Sequence, residues 1–155
     1  MPSFLVAQSE LAEEREKRRE RAGKRAGETY KETLDQLRPG VTVDIASTAD
    51  SHSRRFKPVD IAEYDAVFLT GSPRHVYHET VEVDRQLDFM RAVFASGVPS
   101  FGSCAGLQAA DVVVGGKVRQ MPQRMEAGIP RRISATEAGR QHPLLAGRPG
   151  SWDAP

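Results

Sequence analysis

At 155 residues, with 39% apolar and 28% charged side chains, the chain is long enough for one globular core and too short for two ordinary domains. A net charge of +1 gives no whole-chain argument for binding nucleic acid or an anionic membrane. A single cysteine excludes an internal disulfide framework and a cysteine-rich metal site, and fits a reducing compartment, so the sequence places the protein in the cytoplasm. No run of ~18 or more apolar residues is present to span a bilayer, and Phe4–Ala7 is too short for the core of a signal peptide.

Ser3 to Ala7 reads as a short buried strand, with Gln8, Ser9 and Glu10 at its carboxyl end, where open α/β sheets place their ligands. Residues 11 to 37 have helical composition. Ala22, Ala26, Tyr30, Leu34 and Leu37 form an apolar stripe at helical spacing. Glu13 to Arg25 holds four acidic and seven basic residues. Such mixed signs describe a solvated, partly ion-paired helix face better than a nucleic-acid arm. Arg38-Pro39-Gly40 ends the helix, and Val41 to Ala46 alternates as a second strand. Ser47 to Pro58 is polar and reads as a loop.

Ala66 to Leu69 predicts a third strand, with Thr70-Gly71-Ser72-Pro73 turning at its carboxyl end. Thr80 is placed to cap a helix with Glu82 and Asp84 in its first turn, Val83, Leu87, Met90 and Phe94 on one face, and Gly97 and Pro99 stopping it. Pro99 to Ser103 is then a strand and Ala105 to about Val114 a helix, followed by a turn at Gly115-Gly116 into Lys117-Val118-Arg119. Another short strand is predicted around Arg132 to Ala135 within residues 129–136, then a helical or turn region over Glu137 to Gly147. Ser151 to Pro155 carries no closing element. The order β-α-β-β-α-β-α implies a parallel, doubly wound α/β sheet in one domain, without repeats or an internal boundary.

The lone cysteine, Cys104, stands between that last strand and helix in Gly102-Ser103-Cys104-Ala105-Gly106. This is the pattern of a nucleophile elbow, a sharp strand-to-helix turn with the nucleophile at its tip. A Cβ at Gly102 or Gly106 would crowd the neighbouring strand or helix. The helix N-terminus favours thiolate, and the Ala105 N–H is placed to receive an oxyanion. By itself a lone cysteine is more often a small buried hydrophobe; the surrounding turn is what argues for chemistry.

Gly102-Ser103-Cys104-Ala105-Gly106-Leu107-Gln108 resembles the G-x-C-x-G-x-Q signature of class I glutamine amidotransferases. Related cysteine-elbow hydrolases of the intracellular-protease type usually carry histidine where this chain has Ala105. The resemblance extends to Tyr64–Pro73, similar to the strand and loop that supply the second oxyanion donor, and downstream through Gly115–Val118 to Gln141–Leu145. It is nearest to stand-alone proteins related to the glutaminase domain of GMP synthase. It implies a flavodoxin-like, mostly parallel open sheet with helices on both faces. Cys104 would attack the side-chain amide of glutamine through a thioester and release ammonia. Gly71, Ser72 and Ala105 would form the oxyanion hole and Gln108 would help hold the substrate backbone. No cofactor or metal is implied.

The family's catalytic histidine and acidic partner come from a later segment, after the region matching Gln141–Leu144. His52, His75, His78 and His142 are the histidines here. His142 falls in a motif that resembles a structural turn, and His75 and His78 follow the oxyanion loop. The resemblance therefore implies a C-terminally incomplete domain, residues 1–155, lacking the last strands and weak or inactive alone. It would leave a free strand edge and exposed apolar surface, and its partners would be an ammonia-accepting synthase or the missing segment, with neither nucleic acid nor membrane involved. A non-catalytic binding or assembly module with the same fold is the competing reading, and a different cysteine-elbow hydrolase is a third.

Overall fold

The computed structural model describes residues 1–122 and 131–153. They fall into two compact units, Met1–Gln120 and Met121–Pro155. In the first, four parallel strands, β1 (Ser3–Gln8), β2 (Thr42–Ser47), β3 (Ala66–Leu69) and β4 (Ser100–Gly102), form a sheet in the order β2-β1-β3-β4. Six residue pairs join β1 to β2, four join β1 to β3, and three join β3 to β4, so pairing shortens toward the elbow.

Strand β1 is central and reads as an apolar run because both of its faces are covered. Leu5 and Ala7, with Val67 and Leu69 of β3, pack on Val83, Leu87, Met90 and Val93 of helix α4 (Val81–Ser96) and on Ala109 of helix α5 (Ala105–Val113). Successive side chains of a strand point to opposite faces. The other face, carrying Gln8 and Ile45, meets helix α2 (Ala26–Leu37), whose Gly27 lies so close that a Cβ there would stand 2.8 Å from both side chains. Helices thus cover both faces of a doubly wound α/β sheet, as the sequence predicts.

The segment predicted as one long helix is two. Helix α1 (Ala12–Ala22) ends at Gly23, which takes a left-handed φ of 74° and returns its N–H to the Arg19 carbonyl before α2 begins. The apolar stripe of α2 continued the helical spacing backward across that break, which hid it. In both helices, and in α3 (Pro58–Ile61), an acidic residue at the third position accepts from the backbone N–H preceding the helix: Glu14 from Leu11, Glu28 from Arg25, Asp60 from Lys57, each at 2.7 Å. Helix α4 starts and stops where the sequence says. The Thr80 side chain accepts from the Val83 N–H, and Gly97 closes it with φ 72°.

In the second unit a two-residue strand β5 (Ile133–Ser134) pairs antiparallel with β6 (Ser151–Trp152), flanking helix α6 (Glu137–Arg140) and a 3₁₀ turn at Pro143–Leu145. The terminal stretch therefore does carry a closing element. Two-residue pairings between distant segments leave no periodicity to read. Ile129, within the segment predicted to hold β5, lies outside the described residues, as do Ala154 and Pro155. Among the described residues no helix is long and apolar enough to cross a membrane.

Candidate functional site

Strand β4 stops at Gly102, and Cys104 sits at the start of α5 with φ 51° and ψ −111°. Only two non-glycine residues among those described have positive φ, and Cys104 is one. An L-residue in that region is strained and persists where its surroundings over-determine it. Here they do. A Cβ on Gly102 would stand 2.6 Å from the Gly106 backbone carbon, and one on Gly106 would stand 2.7 Å from the Leu69 Cβ. Strand, turn and helix are packed backbone to backbone, as expected for both glycines. The Ser103 N–H donates to the Leu69 carbonyl at 3.2 Å, and the Gly106 N–H to the Ser103 carbonyl at 2.9 Å. Cys104 itself is exposed. The first N–H groups of a helix have no partner inside it, and Ala105, the first residue of α5, is buried beside the cysteine.

The turn after β3 comes up against this elbow. A Cβ on Gly71 would lie 3.3 Å from the Cys104 Cβ and 3.8 Å from its Sγ. Ser72 follows without positive φ, so a side chain there costs no backbone strain. Its Oγ accepts the Arg74 N–H at 3.1 Å and tightens the turn. Gln108 lies one helical turn on, half-buried, with its N–H bonded to the Cys104 carbonyl at 3.0 Å. The structure thus gathers Gly71, Ser72, Cys104, Ala105 and Gln108 at the carboxyl edge of β3 and β4.

On the β1 side the sequence placed Gln8, Ser9 and Glu10 at the ligand-binding edge but did not reveal the partners gathered around them. The strand order reverses between β1 and β3, and an open cavity of about 800 Å³ occupies that crevice, lined by Glu10, Arg18, Tyr30, Ser72 and Ser103 among others. Tyr30 Oη donates to Ser103 Oγ at 2.8 Å, reaching from α2 to the residue before the nucleophile. Its place in an apolar helical stripe concealed that polar end. Arg74 donates to the Ser9 carbonyl and stands 3.2 Å from Glu14, tying the Gly71–Ser72 turn to β1 and α1. Below it the Ser9 N–H donates to Thr70 Oγ1 at 3.1 Å, Ser9 Oγ donates to the Thr70 carbonyl at 2.9 Å, and Gln86 Nε2 donates to Ser9 Oγ at 2.9 Å, all buried. Arg15 pairs with Asp50 at 2.6 Å and donates to the Glu10 carbonyl.

Glu10 is 7% exposed, and one of its carboxylate oxygens is buried without a hydrogen-bond partner. Burial raises its carboxyl above the usual range, opposed by the Arg18 guanidinium and assisted by Glu14.

The four histidines stand apart from this machinery in their hydrogen bonding. His75 stacks on Tyr77 with centroids 5.0 Å apart, and His78 meets both edge-on. His142 Nδ1 accepts the Leu144 N–H at 3.2 Å and caps the 3₁₀ turn, in keeping with the structural role its motif implied. None of the four histidines hydrogen-bonds Cys104, and among the described residues no cluster of three or more His, Cys, Asp or Glu could hold a metal.

A family model described as Glutamine amidotransferase class-I matches residues 26–149. A gamma-glutamyl-L-1-hydroxyisopropylamide hydrolase from a Pseudomonas species is 31% identical over 129 residues, covering 80% of this chain and 42% of that protein. The pyridoxal 5'-phosphate synthase subunit PdxT of Frankia casuarinae is 42% identical over 59 residues, covering 37% of this chain and 30% of that one. The chain thus spans less than half the length of either relative. The solved structure of a protein described as a GMP synthase subunit, from Thermoplasma acidophilum, superposes with a TM-score of 0.55 at 15% identity, over 99% of this chain and 62% of that one, a likeness of fold.

Proposed function

The chain belongs to the glutamine amidotransferase class-I family, and from that premise we propose that Cys104 is the nucleophile of a γ-glutamyl amide hydrolase acting on glutamine or a substituted γ-glutamyl amide. The observation that carries this reading is the meeting of two turns: Gly71 in contact with a cysteine held at positive φ at a helix start. In the reaction the thiol gives up its proton and sulfur bonds the side-chain carbonyl carbon. The Ala105 N–H and an N–H of the Gly71–Ser72 turn hold the resulting oxyanion. The amide nitrogen takes a proton and leaves as ammonia or an amine, and water cleaves the thioester to glutamate and restores the thiol. Gln108 holds the amino-acid end of the substrate.

The relatives support a hydrolytic use of the fold, one being a γ-glutamyl amide hydrolase and the other belonging to a synthase. The second leads us to propose an ammonia-accepting synthase as a partner. No histidine among the described residues bonds Cys104 to serve as its base, and each missing acid–base role costs about 10²–10⁴-fold in rate. We therefore propose weak activity for these residues alone.

The test has two parts. A glutamine-like chloroketone should label Cys104 in the native protein, located by mass spectrometry, and Cys104→Ala should abolish the adduct; labelling only in denaturant would remove the nucleophile assignment. In a coupled ammonia assay, Cys104-dependent turnover of ~1 s⁻¹ or more would show that a base is present after all.

A further inference from the structure

We propose that a second pocket, beyond the carboxyl end of β2 and walled by Arg54, Arg55 and Arg85, binds a phosphate group, carried either as the free ion or as the ester of a small molecule. The pocket lies within the first unit, and the proposal does not depend on the Cys104 reading.

The pocket, about 90 Å³, forms where the polar loop after β2 meets helix α4. The loop supplies Arg54, Arg55 and Phe56, and α4 supplies Arg85, Asp88 and Phe89. Phe56 meets Phe89 edge-on with centroids 5.6 Å apart, and the Arg54 guanidinium carbon stands 5.0 Å from the centre of the Phe56 ring. Aromatic neighbours lower the local dielectric and strengthen a charge pairing made beside them. A water molecule's share of liquid volume is about 30 Å³, so the pocket has room for a tetrahedral oxyanion, while an organic carrier leads out through the mouth.

Arg85 is the residue that asks for an anion. It is 8% exposed, and among the described residues it makes no ion pair. Asp88, one turn on, is taken by Arg55 at 3.1 Å and Arg91 at 2.8 Å. The Arg85 Nη2 donates to the Ser53 carbonyl at 2.8 Å, and Nε is closed off without a partner. Nη1, neither bonded nor closed off, is the nitrogen left for the pocket that this side chain lines. A guanidinium cannot shed its proton to escape the cost of burial, so a counter-charge must meet it. The three wall arginines and Arg91 face only Asp60 and Asp88, an excess of two positive charges. A phosphate group carries about two negative charges at neutral pH and offers oxygens in several directions, whereas a planar carboxylate carries one and pairs with a single fork. Bound there, phosphate ties the loop carrying Arg54 and Arg55 to α4, whose Gln86 holds Ser9 of the larger cavity's wall.

Calorimetric titration of the full chain at fixed ionic strength tests this, with inorganic phosphate, glycerol 3-phosphate and acetate as probes. One of the two phosphates should bind saturably at one site, about tenfold or more tightly than acetate. Arg85→Gln should weaken that binding about tenfold or more, and Arg85→Lys, which keeps the charge and loses the fork, should recover part of it. Arg54→Gln with Arg55→Gln, both at exposed positions, should weaken it about fivefold, and this variant decides the matter should Arg85→Gln fail to fold. Arg18→Gln with Arg21→Gln, in the exposed cation cluster of α1, should leave the affinity unchanged. Tighter binding of glycerol 3-phosphate assigns the site to an ester, and tighter binding of inorganic phosphate assigns it to the free ion. Binding of neither phosphate, acetate binding as tightly as phosphate, affinity that survives the loss of Arg85 or of Arg54 and Arg55, or affinity lost with Arg18 and Arg21 would overturn the site.

Discussion

Strands β1 and β4 carry the two sides of the site and are built in opposite ways. Strand β1 is central, with Leu5, Val6 and Ala7 at most 1% exposed, and its end is fixed by buried hydrogen bonds from Ser9 to Thr70 and from Gln86 to Ser9. Strand β4 has three residues, stands at the sheet edge among the described strands, and leaves Phe101 47% exposed. Its end is fixed by glycine-mediated backbone contact at Gly102 and Gly106. A ligand-facing wall can be held by satisfied polar groups, which a substrate can also address. A nucleophile needs a single backbone conformation, which close packing without side chains enforces.

The burial contrast should give the widest gap between variants. Leu5→Ala should cost about 3–5 kcal/mol of unfolding free energy, because a fully buried leucine leaves a cavity, whereas Phe101→Ala should cost under about 1 kcal/mol. Urea denaturation of the two variants measures this, and comparable losses would mean that β4 is as deeply packed as β1.

Next comes the elbow. Gly102→Ala should cost about 2–3 kcal/mol, since its methyl meets backbone at 2.6 Å. It should also reduce Cys104 labelling in the fraction that remains folded. A variant with wild-type stability and labelling would show that the turn has slack.

The polar wall should give a smaller effect, visible as a pH slope. Burial raises the folded-state pKa of Glu10 above its unfolded value of 4.5. Between the two values the folded state binds the extra proton, so stability falls as pH rises through that window and stays lower above it. Glu10→Gln should flatten this slope and be slightly more stable than wild type at neutral pH, by thermal denaturation across pH 4 to 7. An unchanged slope would place the titration elsewhere.

Exposed apolar side chains around the elbow bear on the same contrast. Phe101 and Leu107 flank Cys104 with 47% and 62% of their surface open.

Features dictated by local chemistry were legible along the chain. Thr80 and Gly97 bound α4 because capping needs one hydroxyl and one left-handed residue at fixed offsets. Gly102, Cys104 and Gly106 marked the elbow because the turn requires small residues at those spacings. The apolar runs Leu5–Ala7 and Ala66–Leu69 declared buried parallel strands. Other features arise only on folding, because they join residues far apart in the chain. Gly71 meets Cys104 because β3 and β4 are parallel neighbours. Tyr30 reaches Ser103 across 73 positions. Glu10 becomes a buried, unpaired acceptor only when α1 and the β3 turn close around it. Burial and partnership are properties of the assembled surfaces, and no spacing along the chain encodes them.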